Sequence, residues 1–286
     1  MPSRSLVRVM LVGAGIVVAA LLVFAAYRHL TARPEPQTLP PDFDPRNYVR
    51  GGAQLDAPYL VTDYDVVDAM LSMAQVRPGD FVVDLGSGDG RILIAAAKSH
   101  GARGLGVDID PARVREATQN AETAGVARRV EFRREDLFQT PIAEADVVTL
   151  YLTPEVNVRL RPRILSQMRP GARVVSHDYD MGDWRADQRE RIGTATVFLW
   201  IVPARLGGRW TMTIGGQTLP LEFQQHYQQL HGVLGSARVE QGVVSGPRVR
   251  FVASVGGVRR VFEGRLDGNA IVPVAADAGW RAVRAG

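Results

Sequence analysis

Phe81-Val82-Val83-Asp84-Leu85-Gly86-Ser87-Gly88-Asp89-Gly90-Arg91 is the stretch from which the fold is read. Phe81 to Leu85 is a short apolar run with the character of a strand buried on both faces. It meets glycines at three alternate positions, Gly86, Gly88 and Gly90, and then enters the helix-forming segment Arg91 to Ser99. Glycine in such a turn lets the backbone approach a ligand closely, and the helix start offers unpaired N–H donors. A strand, a glycine turn and a helix in that order make a nucleotide-type binding loop.

The spacing G-x-G-x-G departs from the G-x-G-x-x-G of dinucleotide-binding enzymes. Asp84 closes the strand just ahead of the glycines. A carboxylate there attracts an α-ammonium group and repels a pyrophosphate. S-adenosylmethionine carries an amino-acid moiety and no phosphate, so Asp84 favours it over a dinucleotide. A second strand, Gly104 to Val107, ends at Asp108, about twenty residues beyond the loop, where a carboxylate accepts from both ribose hydroxyls. Asp110 and Pro111 read as the cap and first residue of the next helix. After a third strand, Val130 to Phe132, Asp136 stands where the adenine amino group would lie, or else caps a helix.

Outward from this centre the chain alternates. Asp63 to Ala74 carries apolar residues at helical spacing, with Thr62 or Asp63 as N-cap. Pro111 to Ala124 is a further helix, and Val147 to Leu152 and Arg173 to Ser176 complete five strands. Repeated βα units imply an α/β fold, a parallel sheet with helices on both faces. Beyond Phe198 the pattern becomes all-β. Candidate strands are Val197 to Val202, Arg209 to Ile214, Leu219 to Gln225, Gln229 to Leu234, Val249 to Ser254, Arg259 to Gly264 and Ala270 to Val274. They predict an antiparallel meander or partial barrel, the first one or two alternatively forming an edge hairpin of the catalytic sheet.

At the other end, Val9 to Tyr27 is uncharged and at about 1.5 Å per residue spans roughly 28 Å, close to a bilayer's hydrocarbon core. It reads as an uncleaved membrane anchor, with a cleaved signal peptide as the alternative. The arginines before it (Arg4, Arg8) and after it (Arg28, Arg33) nearly balance, so charge does not orient it. Pro34, Pro36, Pro40, Pro41 and Pro45 mark a semi-extended linker. The division is an anchor over 1–30, a linker over 31–56, a Rossmann-like catalytic domain over 57–203 and a small antiparallel β domain over 204–286.

The formal net charge of +4 and the lack of a basic, aromatic-studded stretch argue against nucleic acid. The absence of cysteine removes disulfides, thiolate nucleophiles and cysteine-ligated metal. His177, Asp178 and Asp180 lack a second histidine at ligand spacing, so no metal is expected there.

Asp84 through Gly90, followed by Asp108 and Asp136, resembles the class I methyltransferases. That resemblance implies S-adenosyl-L-methionine as cofactor, lying across the strand ends of a seven-stranded sheet. Pro58-Tyr59-Leu60-Val61-Thr62, some twenty residues ahead of Val83 to Arg91, is similar to the membrane-anchored protein-lysine methyltransferases of the ATP synthase c-subunit type. The similarity covers roughly Ala57 to Trp184 and leaves out the C-terminal β region. It implies that Tyr59 and Thr62 form a lid over the cofactor, packing of the first helix being the alternative. The class I resemblance places substrate-facing residues after the fourth strand, here Tyr151, Thr153, Pro154 and Glu155, and from that position Tyr151 and the backbone carbonyls near Thr153 and Pro154 are expected to line a lysine channel. The Asn-Pro-Pro-Tyr pattern of amide and base methylation is missing there. His177 is either a base or a hydrogen-bonded histidine. The expected function is methylation of a lysine in a membrane-associated protein. Small-molecule or lipid methylation, and a non-catalytic cofactor-binding module, are the rivals. Because the cofactor is made in the cytosol, the expected location is the cytoplasmic face of an inner membrane.

Overall fold

The computed structural model describes residues 49–50, 53–54 and 60–285. The expected anchor, most of the linker and Tyr59 lie outside the described residues. Among those described, no helix is long and apolar enough to cross a membrane. The first pieces are a two-residue pair, β1 (Val49–Arg50) and β2 (Ala53–Gln54).

The catalytic sheet follows from α1 (Tyr64–Met73), whose stripe Val66, Val67, Met70 and Leu71 is buried. Next come β3 (Phe81–Leu85), α2 (Arg91–His100), β4 (Arg103–Asp108), α3 (Pro111–Thr123) and β5 (Val130–Arg134). The second half is β6 (Val147–Leu150), α4 (Pro154–Gln167) and β7 (Arg173–His177). An antiparallel hairpin closes the edge, β8 (Gln188–Ile192) and β9 (Ala195–Ile201). The order across the seven-stranded sheet is β5-β4-β3-β6-β7-β9-β8. The chain runs outward from β3 to β5 and then returns to the other side of β3. The order therefore reverses between β3 and β6, where open α/β sheets bind ligands beyond the strand carboxyl ends.

Both faces are covered. Val66, Met70, Leu93 and Ala96 pack on one side, and Leu150, Val156, Leu160, Ile164 and Trp184 on the other. Only the first of the two candidate edge strands joins this sheet. Its hairpin partner is β8, whose sequence Gln-Arg-Glu-Arg-Ile is exposed and carries no apolar alternation to reveal it.

The second of those strands, β10 (Gly208–Ile214), opens a separate closed barrel. It continues through β11 (Gln217–His226), β12 (Gln229–Leu234), β13 (Ala237–Ser245), β14 (Arg248–Val255), β15 (Val258–Asp267), β16 (Ala270–Pro273) and β17 (Trp280–Arg284). Strand β17 pairs back onto β10, so no edge is left open. The expected partial meander is thus a complete barrel, and it includes β13 and β17, which the apolar pattern did not mark. In β13 a register shift between Glu240 and Val243 puts Gln241 at φ 49° and resets which residues face inward.

The barrel interior is filled. Phe223 meets Phe251 edge to face at 5.3 Å, Phe251 stacks on Phe262 at 5.0 Å, and Trp280 stands edge-on to Phe262 at 5.6 Å. Gly264 makes room for Trp280, because a Cβ there would lie 2.7 Å from the indole.

Candidate active site

The glycine loop turns where β3 ends. Gly86 and Ser87 both donate to the Val107 carbonyl at 2.9 Å, which ties the loop to β4. Gly86, Gly88 and Gly90 have φ of 84°, 52° and 82°, the left-handed region in which a side chain is strained. That is why the glycines alternate. At Gly90 a Cβ would also come within 2.6 Å of the Phe132 ring.

Asp84 is buried, and its Cα partner on β6 is Thr149. The Thr149 hydroxyl donates to Asp84 Oδ1 at 2.6 Å, while Oδ2 has no partner among the described residues. Burial pushes the Asp84 carboxyl up to about 7, against the lowering by Thr149, with Asp108 and Asp89 adding repulsion. A buried carboxylate with one orphaned oxygen is a site short of a cation, and the α-ammonium of S-adenosylmethionine fits that deficit.

Asp108 accepts from Gly88 N at 3.0 Å through Oδ2 and from Asp110 N at 2.9 Å through Oδ1. Each oxygen keeps a lone pair, enough for two ribose hydroxyls. Burial raises its carboxyl, offset by those two backbone donors. Asp110 caps α3 through Ala112 N at 2.7 Å. Asp136 Oδ1 accepts from Phe138 N at 2.9 Å and so heads the turn after β5; the side chain is exposed at the rim.

Thr62 is buried, and its hydroxyl lies 3.2 Å from His177 Nδ1. Its carbonyl accepts from Arg91 at 2.8 Å, and Arg91 is also clamped to Asp89. The segment ahead of α1 is thereby fastened over the glycine loop and to the end of β7. Arg91 and Thr149 were not singled out from sequence. The Arg at the loop's end and the Thr opposite Asp84 become meaningful only through pairing.

Beyond the ends of β6 and β7, where the acceptor is expected, Tyr151 stacks on His177 at 3.8 Å between ring centroids, and Tyr179 follows at 6.3 Å from Tyr151. Burial lowers His177, with Asp178 and Asp63 pulling the other way. Burial, then Asp178, Tyr179 and Asp63, raise the Tyr151 hydroxyl above the usual phenol range. Tyr179 is raised by burial, Asp178 and Glu155. Thr153 is the N-cap of α4, its hydroxyl 3.4 Å from Val156 N, and Pro154 is the first helical residue. These two position the helix start beside Tyr151. Asn157, one turn on, is fully buried and donates toward Ser176 Oγ, Tyr179 O and Asp180 O at 3.1–3.2 Å. It holds the loop after β7, and a lone asparagine in a helix gave no sequence signal.

A sheet that reverses order beside a buried carboxylate, a glycine cradle and a ribose-type aspartate defines a class I S-adenosylmethionine-binding transferase. The family described as ANTKMT methyltransferase domain matches residues 84–188. A protein-lysine N-methyltransferase of Saccharolobus islandicus is 39% identical over 150 residues, 51% of this chain and 93% of that protein. An adenine nucleotide translocase lysine N-methyltransferase of Mus musculus is 33% identical over 132 residues, 46% of this chain and 57% of that protein. A crystal structure of an RNA methyltransferase from Salinibacter ruber with S-adenosyl-L-homocysteine is 52% identical. It superposes with a TM-score of 0.51 and covers 51% of this chain and 96% of that one. The chain belongs to the family of class I S-adenosylmethionine-dependent methyltransferases that includes the Saccharolobus islandicus protein-lysine enzyme. These matches account for about half of the chain.

Proposed function

We propose that this methyltransferase modifies the ε-amine of a lysine in a membrane-associated protein. The observation that carries the reading is the acceptor mouth. Tyr151, His177 and Tyr179 form an aromatic wall that feels the carboxylates of Asp63, Asp178 and Glu155. Such a mouth attracts a cationic side chain and then strips its water. A polyanion meets repulsion at the same place, which disfavours an RNA acceptor of the kind named for the Salinibacter ruber relative.

When bound, S-adenosylmethionine supplies an electrophilic methyl group on a sulfonium, and the chain's task is alignment and deprotonation. Neutralising a lysine of pKa near 10.4 at pH 7 costs about 4.6 kcal/mol. The aromatic wall lowers that cost by desolvating the ammonium. Glu155, exposed in the first turn of α4, suits docking of the ammonium rather than its deprotonation. Asp84 and Asp108 fix the cofactor's ammonium and its ribose, on either side of the sulfonium, and Tyr151 with the start of α4 fixes the amine's approach, an alignment worth about 7–11 kcal/mol.

In this reading Tyr59 and Thr62 close over the cofactor and Asp136 meets the adenine. Residues 1–30 anchor the chain and 31–56 space it from the bilayer, with the catalytic domain on the cytoplasmic face of an inner membrane. A lipid acceptor is disfavoured by the aromatic filling of the barrel, which takes up the interior a lipid would need.

The test is transfer of labelled methyl from S-adenosylmethionine into fractions of a strain lacking the gene. Label in a membrane protein, absent with Asp84→Ala and located on lysine by mass spectrometry, is the expected result. Label confined to RNA, or to the lipid extract, refutes the acceptor.

A further inference from the structure

The barrel and the catalytic sheet belong to one compact unit, and among the described residues they meet at two places: Gly246 and Pro247 lie against Gly171 ahead of β7, and a barrel turn reaches the segment after β7. The turn between β11 and β12 carries Tyr227 and Gln228 against the segment 178–187, which follows β7. Tyr227 Oη lies 3.1 Å from Asp183 Oδ1, and its ring stacks on Trp184 at 6.0 Å. The Arg161 guanidinium, from α4, sits 5.4 Å from the same ring and also binds Asp183 and the Met181 carbonyl. His226 Nε2 is 3.7 Å from Asp183 Oδ2, and Gln228 donates to the Arg185 carbonyl at 2.7 Å. Gln225 fastens the turn's base, donating to the carbonyls of Tyr227 and Ala204 and accepting from Leu206 N.

Tyr227 has φ 52°, a conformation a bulky residue holds only where its surroundings impose it. The segment it grips starts at Asp178, itself at φ 60°, and carries Tyr179 of the aromatic wall. Asn157 and Arg161 of α4 hold the same segment's carbonyls. The segment that carries Tyr179 is therefore clamped jointly by α4 and the barrel turn.

We propose that the barrel sets the position of the acceptor wall, with Tyr227 as the positioning residue of that clamp. The proposal rests on the reading of Tyr151, His177 and Tyr179 as the acceptor wall, of which Tyr179 stands in 178–187, and not on the acceptor being lysine. Tyr227 touches neither cofactor nor reacting atoms; it acts through Asp183 and Trp184.

The experiment uses the full chain with Tyr227→Ala, Tyr227→Phe and the barrel-interior variant Phe262→Leu. Hydrogen exchange is measured first, because it needs no acceptor. Tyr227→Ala is expected to speed exchange in 178–187 at least tenfold while leaving 81–91 unchanged. Methyl transfer is then measured against increasing amounts of whichever fraction of the deletion strain the wild type labels. Tyr227→Ala is expected to raise the half-saturating amount about tenfold, with S-adenosylhomocysteine affinity changed less than twofold. Tyr227→Phe keeps the ring and loses the hydroxyl, and should fall two- to threefold. Phe262→Leu should lower the melting temperature without either effect. Unchanged exchange in 178–187, or losses in Tyr227→Ala that Phe262→Leu reproduces at equal melting temperature, overturns the proposal. A wild type that labels RNA or lipid instead of protein defeats the lysine reading and leaves the exchange result to decide this one.

Discussion

Asp84→Asn tests the electrostatic account of the cofactor site. A carboxyl moved by burial from 3.8 to about 7 carries an ionisation penalty of about 4 kcal/mol at 1.36 kcal/mol per pH unit. The group is raised, so its stabilising contribution is complete below pH 3.8 and is lost as pH climbs through 7. Free of cofactor, Asp84→Asn should therefore be more stable than wild type at pH 8, with about 4 kcal/mol as the ceiling, and nearly equal at pH 4. Binding runs the opposite way, since the cofactor's α-ammonium needs the ionised carboxylate. Affinity of the wild type for S-adenosylhomocysteine should rise about tenfold per pH unit from 5.5 to 7 and then level off. The substituted amide cannot ionise, so the variant's affinity should be flat with pH and at least tenfold weaker at pH 8. Calorimetric titration from pH 5.5 to 8.5 and thermal melts of the free proteins measure both quantities. A flat wild-type profile, or an Asp84→Asn variant that keeps the slope, would falsify the assignment of Asp84 to the ammonium.

Three further outcomes follow from the same geometry. Thr149→Val removes the hydroxyl that lowers the Asp84 carboxyl, so the rise in S-adenosylhomocysteine affinity should shift to higher pH; an unshifted profile in the same titration would sink that link. Gly90→Ala places a methyl 2.6 Å from the Phe132 ring at φ 82°, and should cost about 2–4 kcal/mol in a denaturant melt and weaken cofactor binding. His177 is lowered by burial, so its contribution to stability is present above pH 6.5 and is lost as pH falls through its folded value. His177→Gln should accordingly lose less melting temperature than wild type between pH 7.5 and 5, the opposite sense to Asp84.

The catalytic half was largely legible because its information is local. A buried strand, alternate glycines and a helix are neighbours in the chain, and each glycine answers a backbone angle set within the same turn. Asp108 and the Asp110-Pro111 cap are likewise written within one βα unit. The barrel was only partly legible. Strand β13 hides its alternation behind the bulge at Gln241, and β8 is too polar to show any. Closure itself depends on β17 pairing with β10, about seventy residues earlier, which no local pattern encodes.

The sequence alone determined the cofactor class and the succession of βα units that hold it, because charge and backbone freedom within one loop select an amino-acid-bearing cofactor over a pyrophosphate. Tertiary structure decided which residues face one another across that loop. Thr149 meets Asp84, Thr62 meets His177, Tyr151 stacks on His177 and Tyr227 reaches Asp183. Each of these pairs joins segments distant in the chain, and the contact exists only because sheet register and barrel closure bring their backbones together.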